Sequence, residues 1–186
     1  MAMAYYTLAL LIALVTPSAW AADDRLWQAL REPNTVVLLR HAHADGGNAM
    51  MRDTTGRCHN ERRLTKTGRA QARAIGKAFK LHKLAPRAFA SPFCRTRETA
   101  QLAFGKFGVI DLLAEIASAD AAGRDRFESG LRELVARERG AKPLVLVTHQ
   151  PNIELVTFES IELAEAVVAR SEADGELAIL GRLRFD

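Results

Sequence analysis

The stretch Asn34-Thr-Val-Val-Leu-Leu-Arg-His-Ala-His43 joins an apolar run of strand length directly to a cluster of basic side chains. Its β-branched and aliphatic residues are continuous, which is typical of a strand buried on both faces. A second run of the same kind, residues 143–148, leads directly into His149. We therefore predict two buried strands, each of which ends next to a histidine.

Helical and strand patterns alternate through the rest of the chain. Thr65 can cap a helix over Lys66–Leu81, and Ser91-Pro92 is a cap and first-turn signature for a helix that continues to Phe104. Apolar spacing predicts a further helix through residues 127–135 that ends near Gly140. The remaining predicted strands cover residues 87–90, 109–113, 165–169 and 176–185. This alternation predicts an α/β fold, a three-layer α/β/α sandwich with a mostly parallel central sheet.

Length and composition indicate one globular domain. The chain has 186 residues, 48% of them hydrophobic and 26% charged, with a formal net charge of +4. A multi-domain enzyme and a polytopic membrane protein are excluded by this size and composition. The Arg-rich segment at residues 57–73 contains no Phe, Tyr or Trp on which bases could stack, so we expect no nucleic-acid partner.

The N-terminal segment has the pattern of an export signal. Residues 1–21 carry no charged side chain, and the apolar run at residues 7–15 is followed by Pro17 and the small-x-small sequence Ala19-Trp-Ala21. This is a signal-peptide core with its cleavage site, and the run is too short for a transmembrane helix. We expect a signal peptide at 1–21, a mature domain at 22–186, and a periplasmic or secreted protein without membrane insertion after cleavage. A buried N-terminal helix is the alternative.

The two cysteines of the chain, Cys58 and Cys94, form an even pair. In an exported protein such a pair predicts a disulfide bond. Two free buried thiols are the other interpretation.

Basic side chains follow the predicted strands at the edge where ligands bind in such sheets. Arg40 and His41 end one strand, His149 ends another, and Arg95 lies one turn into the helix that begins at Ser91. Guanidinium groups bind a phosphate dianion in a bidentate manner, and helix N-termini add N–H donors. A histidine flanked by arginines stays neutral and can attack phosphorus.

Four segments, in this order along the chain, carry a family resemblance: Leu39-Arg-His-Ala42, Leu64-Thr-Lys-Thr-Gly-Arg-Ala-Gln-Ala72, Ser91-Pro-Phe-Cys-Arg-Thr-Arg-Glu-Thr-Ala100 and Val147-Thr-His149. The chain resembles the histidine phosphatase (phosphoglycerate mutase-like) superfamily, in particular its compact phosphohistidine-phosphatase branch and exported lipopolysaccharide heptose-phosphate phosphatases. The resemblance implies that His41 becomes phosphohistidine, that Arg40 and Arg95 hold the phosphoryl group, and that His149 hydrogen-bonds it. It implies no metal and no cofactor.

Two further roles stay open at this stage. The family usually supplies a third pocket side chain from the loop after the nucleophile, for which Arg52 is the first candidate and Arg57 the second. Mutase-like members use a glutamate as proton donor, and Glu115 is the nearest candidate here, with Asp120 next. Resemblance to the phosphohistidine phosphatases of this family implies instead that no such proton donor is required.

The interpretation is an exported, metal-independent phosphatase, expected to be monomeric, that acts on a phosphorylated small molecule or an envelope glycan. One alternative is a non-catalytic module that binds phosphorylated ligands. Another is a metal-dependent hydrolase, because His41-Ala-His43-Ala-Asp45 also has the H-x-H-x-D pattern of binuclear metal sites.

Overall fold

The computed structural model describes residues 19–185. The predicted signal peptide thus lies almost entirely outside the described residues, and the first helix begins at Ala19. The helices are α1 (Ala19–Ala29), α2 (Lys66–Leu81), α3 (Cys94–Phe104), α4 (Ala121–Arg137) and α5 (Gln150–Thr157), with a 3₁₀ helix at Asp111–Leu113. The strands are β1 (Thr35–Arg40), β2 (Ala44–Asp45), β3 (Arg63–Leu64), β4 (Arg87–Ala90), β5 (Gly108–Val109), β6 (Leu144–Thr148), β7 (Ala166–Ser171) and β8 (Leu177–Leu183).

Within the described residues, six strands form the central sheet in the order β5-β4-β6-β1-β7-β8. Strands β5, β4, β6 and β1 run parallel, whereas β7 and β8 are antiparallel to their neighbours. Strands β2 and β3 form a separate antiparallel pair. The predicted α/β class with a mostly parallel sheet is confirmed.

The two faces of the sheet carry separate cores. Val37 and Leu39 of β1 pack in the cluster that contains the buried side chains of α1 and α2, whereas Val36 and Leu38 pack in the cluster of α4 and α5. Successive strand residues point to opposite faces, so a continuous apolar run is what a strand between two helical layers requires. Each fully buried aliphatic side chain contributes roughly 1.5–3 kcal/mol to stability.

Helix α2 has the predicted bounds and the predicted cap. The Thr65 side chain accepts a hydrogen bond from the Gly68 backbone N–H, 3.1 Å away. A β-carbon on Gly76 would overlap the carbonyl oxygen of Ala103, so this glycine permits the close packing of α2 on α3.

Two local predictions were wrong. Helix α3 begins at Cys94 with Phe93 as its cap residue, and Ser91 does not cap it, because the Ser91 hydroxyl contacts a histidine instead. The segment 109–113 was predicted as a strand, but strand β5 ends at Val109 and a 3₁₀ helix follows. Strand β5 pairs with β4 over two residues at the outer edge of the sheet, and no other strand between residues 19 and 185 pairs with it.

Candidate active site

The carboxyl ends of β1 and β6 bring two histidines together. Arg40 pairs with Thr148 in the parallel ladder, so the next residues, His41 and His149, leave the sheet side by side. Their ring centroids are 5.4 Å apart, at an interplanar angle of 64°. This separation is close to the spacing of about 4.8 Å between neighbouring strands. The sheet register therefore determines how far apart the two imidazoles lie.

Arg95 bridges the two rings. It is the second residue of α3, and its side chain is only 2% exposed. Its Nε donates to His41 Nε2 at 3.2 Å, and its Nη2 donates to His149 Nδ1 at 3.1 Å. The same Nη2 forms an ion pair with the Glu115 carboxylate. The predicted Arg95, both histidines and Glu115 thus form one contiguous group.

The hydrogen bonds define which nitrogen of each ring carries the proton. His41 Nδ1 lies 2.9 Å from the Ala42 carbonyl oxygen, which can only accept, so Nδ1 is protonated and Nε2 keeps its lone pair. An arginine can only donate, so His149 Nδ1 accepts from Arg95 and Nε2 is the protonated nitrogen. His149 Nε2 donates to Ser91 Oγ at 2.8 Å.

Both histidines are held neutral. Burial lowers the pKa of His41 to about 3, and the charges of Arg95, Arg40 and Arg62 also lower it, against the opposing hydrogen bond to Ala42. Burial also lowers the pKa of His149 well below its ordinary value, with further contributions from Arg95, His41 and Arg40. A neutral His41 retains the lone pair that a nucleophile needs.

Guanidinium donors remain available at this edge of the sheet. Arg40 Nη1 donates to the Ile161 carbonyl oxygen at 2.6 Å. Arg40 Nε and Arg95 Nη1 are buried without a hydrogen-bond partner among residues 19–185. Burial lowers the pKa of both arginines, and the Glu115 carboxylate raises it in each case. Both guanidinium groups stay charged, so these two N–H groups suit an anionic oxygen that enters the site.

Neither Arg52 nor Arg57, the two candidates for a third side chain in the phosphate pocket, is among the charges that lower the pKa of His41. Arg52 is exposed and forms an ion pair with Asp111 at 2.9 Å, and Arg57 Nε lies 3.4 Å from Thr55 Oγ1. Burial is the main cause that lowers the pKa of His41 and of Arg95, and the charge of Arg62 adds a smaller contribution to both. The sequence does not single out Arg62, because its place follows from the pairing of Arg63 and Leu64 with the strand after His43.

The two predicted proton donors lie in different settings. The Glu115 carboxylate Oε2 is 3.7 Å from His149 Nδ1 and is paired with Arg95. Asp120 instead caps α4, where its Oδ1 accepts from the Gly123 backbone N–H at 2.7 Å. The geometry therefore favours Glu115 over Asp120 as a group that could reach a substrate bound between the histidines.

The loop that contains Arg62 is attached to α3 by the Cys58–Cys94 disulfide and by the buried carboxylate of Glu61. Cys58 is bonded to Cys94, as predicted. Glu61, which the sequence analysis missed, is 3% exposed, and its two oxygens accept from the backbone N–H groups of Asp53 at 2.6 Å and Cys94 at 2.7 Å. These contacts hold the loop beside the first turn of α3, where Arg95 lies.

The H-x-H-x-D side chains point to separate partners. His43 Nδ1 lies 2.9 Å from Thr65 Oγ1 at the start of α2, and Asp45 Oδ1 accepts from the Gly46 N–H at 2.7 Å. Among the described residues, no group of three or more histidine, cysteine, aspartate or glutamate side chains is arranged to hold a metal ion.

The pattern of a known family covers the segments that carry this site. A family model described as histidine phosphatase superfamily (branch 1) matches residues 36–124, which include Arg40, His41, Arg95 and Glu115. Residues 36–124 thus have the sequence pattern of the histidine phosphatase superfamily. Among curated protein sequences, none matched the chain.

Solved structures of phosphatases share the fold of this chain. The protein histidine phosphatase SixA in complex with tungstate is 18% identical, with a TM-score of 0.58 over 81% of this chain and 96% of that chain. A putative phosphohistidine phosphatase SixA from Agrobacterium tumefaciens is 22% identical, with a TM-score of 0.55 over 81% and 97%. The mycobacterial glucosyl-3-phosphoglycerate phosphatase is 18% identical, with a TM-score of 0.55 over 78% and 95%.

Proposed function

We propose that this protein is an exported, metal-independent phosphatase that hydrolyses phosphate monoesters, or phosphohistidine, through a phosphohistidine intermediate on His41. One observation carries the proposal: the unprotonated Nε2 of His41 lies against the buried Arg95 guanidinium, beside a second neutral histidine. A nucleophile and anion-binding donors are thereby concentrated in one site.

In the first step, the Nε2 lone pair of His41 attacks phosphorus. The N–P bond forms while the bond from phosphorus to the leaving oxygen breaks, and that oxygen keeps the electron pair. Arg40 Nε and Arg95 Nη1 donate to the phosphoryl oxygens, where the charge of the transition state is spread. Nδ1 of His41 keeps its proton on the Ala42 carbonyl, which stabilises the positive charge that develops on the ring.

Glu115 is the proposed proton donor to the leaving oxygen. A bound phosphoryl group brings like charge next to its carboxylate, and such charge favours the protonated form of a carboxyl group. The phosphoryl group also competes for Arg95, to which Glu115 is otherwise paired. In the second step, water attacks phosphorus, Glu115 takes the water proton, and the N–P electron pair returns to Nε2. The balance is one ester and one water consumed, with one alcohol and one phosphate released.

Two considerations support the substrate class and the location. The structural neighbours include a putative phosphohistidine phosphatase and a glucosyl-3-phosphoglycerate phosphatase. The export pattern of residues 1–21 makes an envelope glycan or a scavenged phosphate ester a suitable substrate. Between residues 19 and 185, no helix is long and apolar enough to cross a membrane.

The test is hydrolysis of p-nitrophenyl phosphate by residues 22–186 in EDTA, compared with the variants His41→Ala and His43→Ala. His43 is the matched control, because it lies two residues away but contacts Thr65 outside the site. We expect EDTA-resistant turnover that His41→Ala abolishes and His43→Ala retains. Full activity in His41→Ala would exclude the mechanism. Phosphate binding without turnover in the wild-type protein would instead indicate a binding module.

A further inference from the structure

A second concave site lies at the opposite end of the sheet. Its volume is about 680 Å³, and it is lined by the C-terminal halves of α2 and α3 and by the residues that lead into β4, β5 and β6. These are the amino ends of the parallel strands, whereas His41 and His149 follow the carboxyl ends of β1 and β6. The cavity is thus separate from the candidate active site, and its volume lies in the range of about 300–1,000 Å³ typical of small-molecule sites.

The floor of this cavity is aromatic. Phe79 of α2 and Phe104 of α3 meet edge to face, with ring centroids 5.3 Å apart, and Phe89 and Phe107 also line it. A β-carbon on Gly108 would lie 2.7 Å from the Phe89 ring, so this glycine allows the ring to lie against β5. An apolar ligand body would be desolvated on these rings.

The rim of the cavity is cationic. Lys80, Lys106 and Lys142 come from three different segments, and all three are exposed. None of them forms an ion pair among residues 19–185, whereas Arg87, the other basic lining residue, is paired with Glu138 at 2.7 Å. No acidic residue occurs among the described residues that line the cavity. Three lysines around one apolar floor, without a carboxylate to neutralise them, complement an anionic head group.

We propose that this cavity binds a single-chain anionic amphiphile of the fatty-acid class. The alkyl chain lies against Phe104 and Phe107 on the α2–α3 face of the sheet, and the carboxylate is held by Lys80, Lys106 and Lys142. Such a ligand uses the apolar floor and the cationic rim together, which a sugar phosphate or an uncharged lipid does not.

The test is calorimetric titration of the mature, exported protein with dodecanoate below its micelle concentration. The uncharged dodecyl maltoside and the chainless acetate serve as ligand controls. We expect dodecanoate to bind with a stoichiometry of one and neither control to bind. Equal binding of dodecyl maltoside would overturn the requirement for charge, and equal binding of acetate would overturn the requirement for the chain.

Two variants and one matched control locate the site. The triple change Lys80→Glu, Lys106→Glu and Lys142→Glu removes the cationic rim, and Ala85→Trp fills the cavity from its exposed edge. The control triple Lys66→Glu, Lys77→Glu and Lys83→Glu alters the net charge equally at exposed lysines that do not line the cavity.

We expect both lining variants to weaken dodecanoate binding by at least about tenfold, which is 1.4 kcal/mol, and the control triple to bind as the wild type does. Near-UV circular dichroism checks that each variant is folded without using the phosphatase assay. Equal loss in the control triple, or binding only to phosphatidylglycerol vesicles and not to dodecanoate, would overturn the proposal.

Discussion

Ser91 Oγ lies 2.8 Å from Nε2 of His149, and both side chains are buried. The serine is itself held rigidly, because its backbone N–H donates to Val147 and its carbonyl accepts from Thr96. Arg95 donates to the other ring nitrogen of His149. The imidazole is therefore clamped from both sides, with Nδ1 as acceptor and Nε2 as donor.

Ser91→Ala removes the acceptor for that proton. A buried N–H without a partner costs about 1–3 kcal/mol, and a small displacement of a positioned group can cost on the order of 100-fold in rate. We expect kcat/KM for p-nitrophenyl phosphate to fall at least about tenfold. The ¹⁵N signal of His149 Nε2 should also shift, because its proton loses its acceptor while Arg95 keeps Nδ1 unprotonated. Ser129→Ala, which alters a surface serine on α4 that bonds to its own helix, is the control. Unaltered kinetics and unaltered ¹⁵N signals in Ser91→Ala would contradict the positioning role.

His41 should not titrate in the physiological range. Its pKa is lowered from 6.5 to about 3, so the neutral form persists at every pH well above 3, and protonation becomes appreciable only in strong acid. In NMR titrations from pH 8 to 5, we expect constant ring chemical shifts for His41, assigned by comparison with His41→Ala. A midpoint near 6.5 would show that the imidazole is solvated and unaffected by the surrounding arginines.

If Glu115 donates the proton to the leaving oxygen, as proposed, the effect of its removal on the hydrolysis rate should depend on the leaving group. In Glu115→Gln, hydrolysis of an alkyl phosphate such as glycerol phosphate should fall about 100-fold or more, because its alkoxide needs a proton. Hydrolysis of p-nitrophenyl phosphate should fall much less, because its phenolate leaves readily without one. Asp120→Asn, which alters only the cap of α4, is the control. Equal losses on both substrates in Glu115→Gln would indicate that Glu115 only positions Arg95.

The disulfide should stabilise the fold, and in the chain-entropy model its contribution rises with the logarithm of the length of the loop that it closes. For the separation of 36 residues between Cys58 and Cys94, the chain-entropy model gives roughly 3–4 kcal/mol. We expect reduction, or the double change Cys58→Ser and Cys94→Ser, to lower Tm by several degrees in thermal unfolding. Treatment of the double variant with reductant is the control, and it should have no further effect. An unaltered Tm on reduction would show that Glu61 and its backbone contacts suffice to hold the loop.

Local sequence patterns were sufficient to predict several helices and strands of this fold. The apolar run of β1, the capped helix α2 and the antiparallel pair of β7 and β8 all follow from residues that are close in sequence. The grouping of His41, Arg95 and His149 could also be predicted, because parallel strands present their carboxyl ends at one edge of the sheet.

The missed features depend on contacts between distant segments. Ser91 has a residue type and a following proline that favour a helix cap, but a histidine 58 residues away along the chain competes for its hydroxyl. Arg62 is one of several arginines in its loop, and its orientation depends on the Cys58–Cys94 bond and on Glu61. Local propensity carries no information on which of two competing tertiary contacts is formed.

The pairing of Arg40 with Thr148 in the sheet has a consequence for how such a protein can diversify. Because the distance between the two imidazoles is fixed by two central, fully hydrogen-bonded strands, insertions or replacements in residues 46–62 or 110–120 leave that distance unaltered. Those two segments supply Arg62 and Glu115 instead. Substrate preference, and the proposed proton donor with it, can therefore change through these segments while His41 and His149 keep their separation, so the same core is suitable as a scaffold on which new specificities are selected.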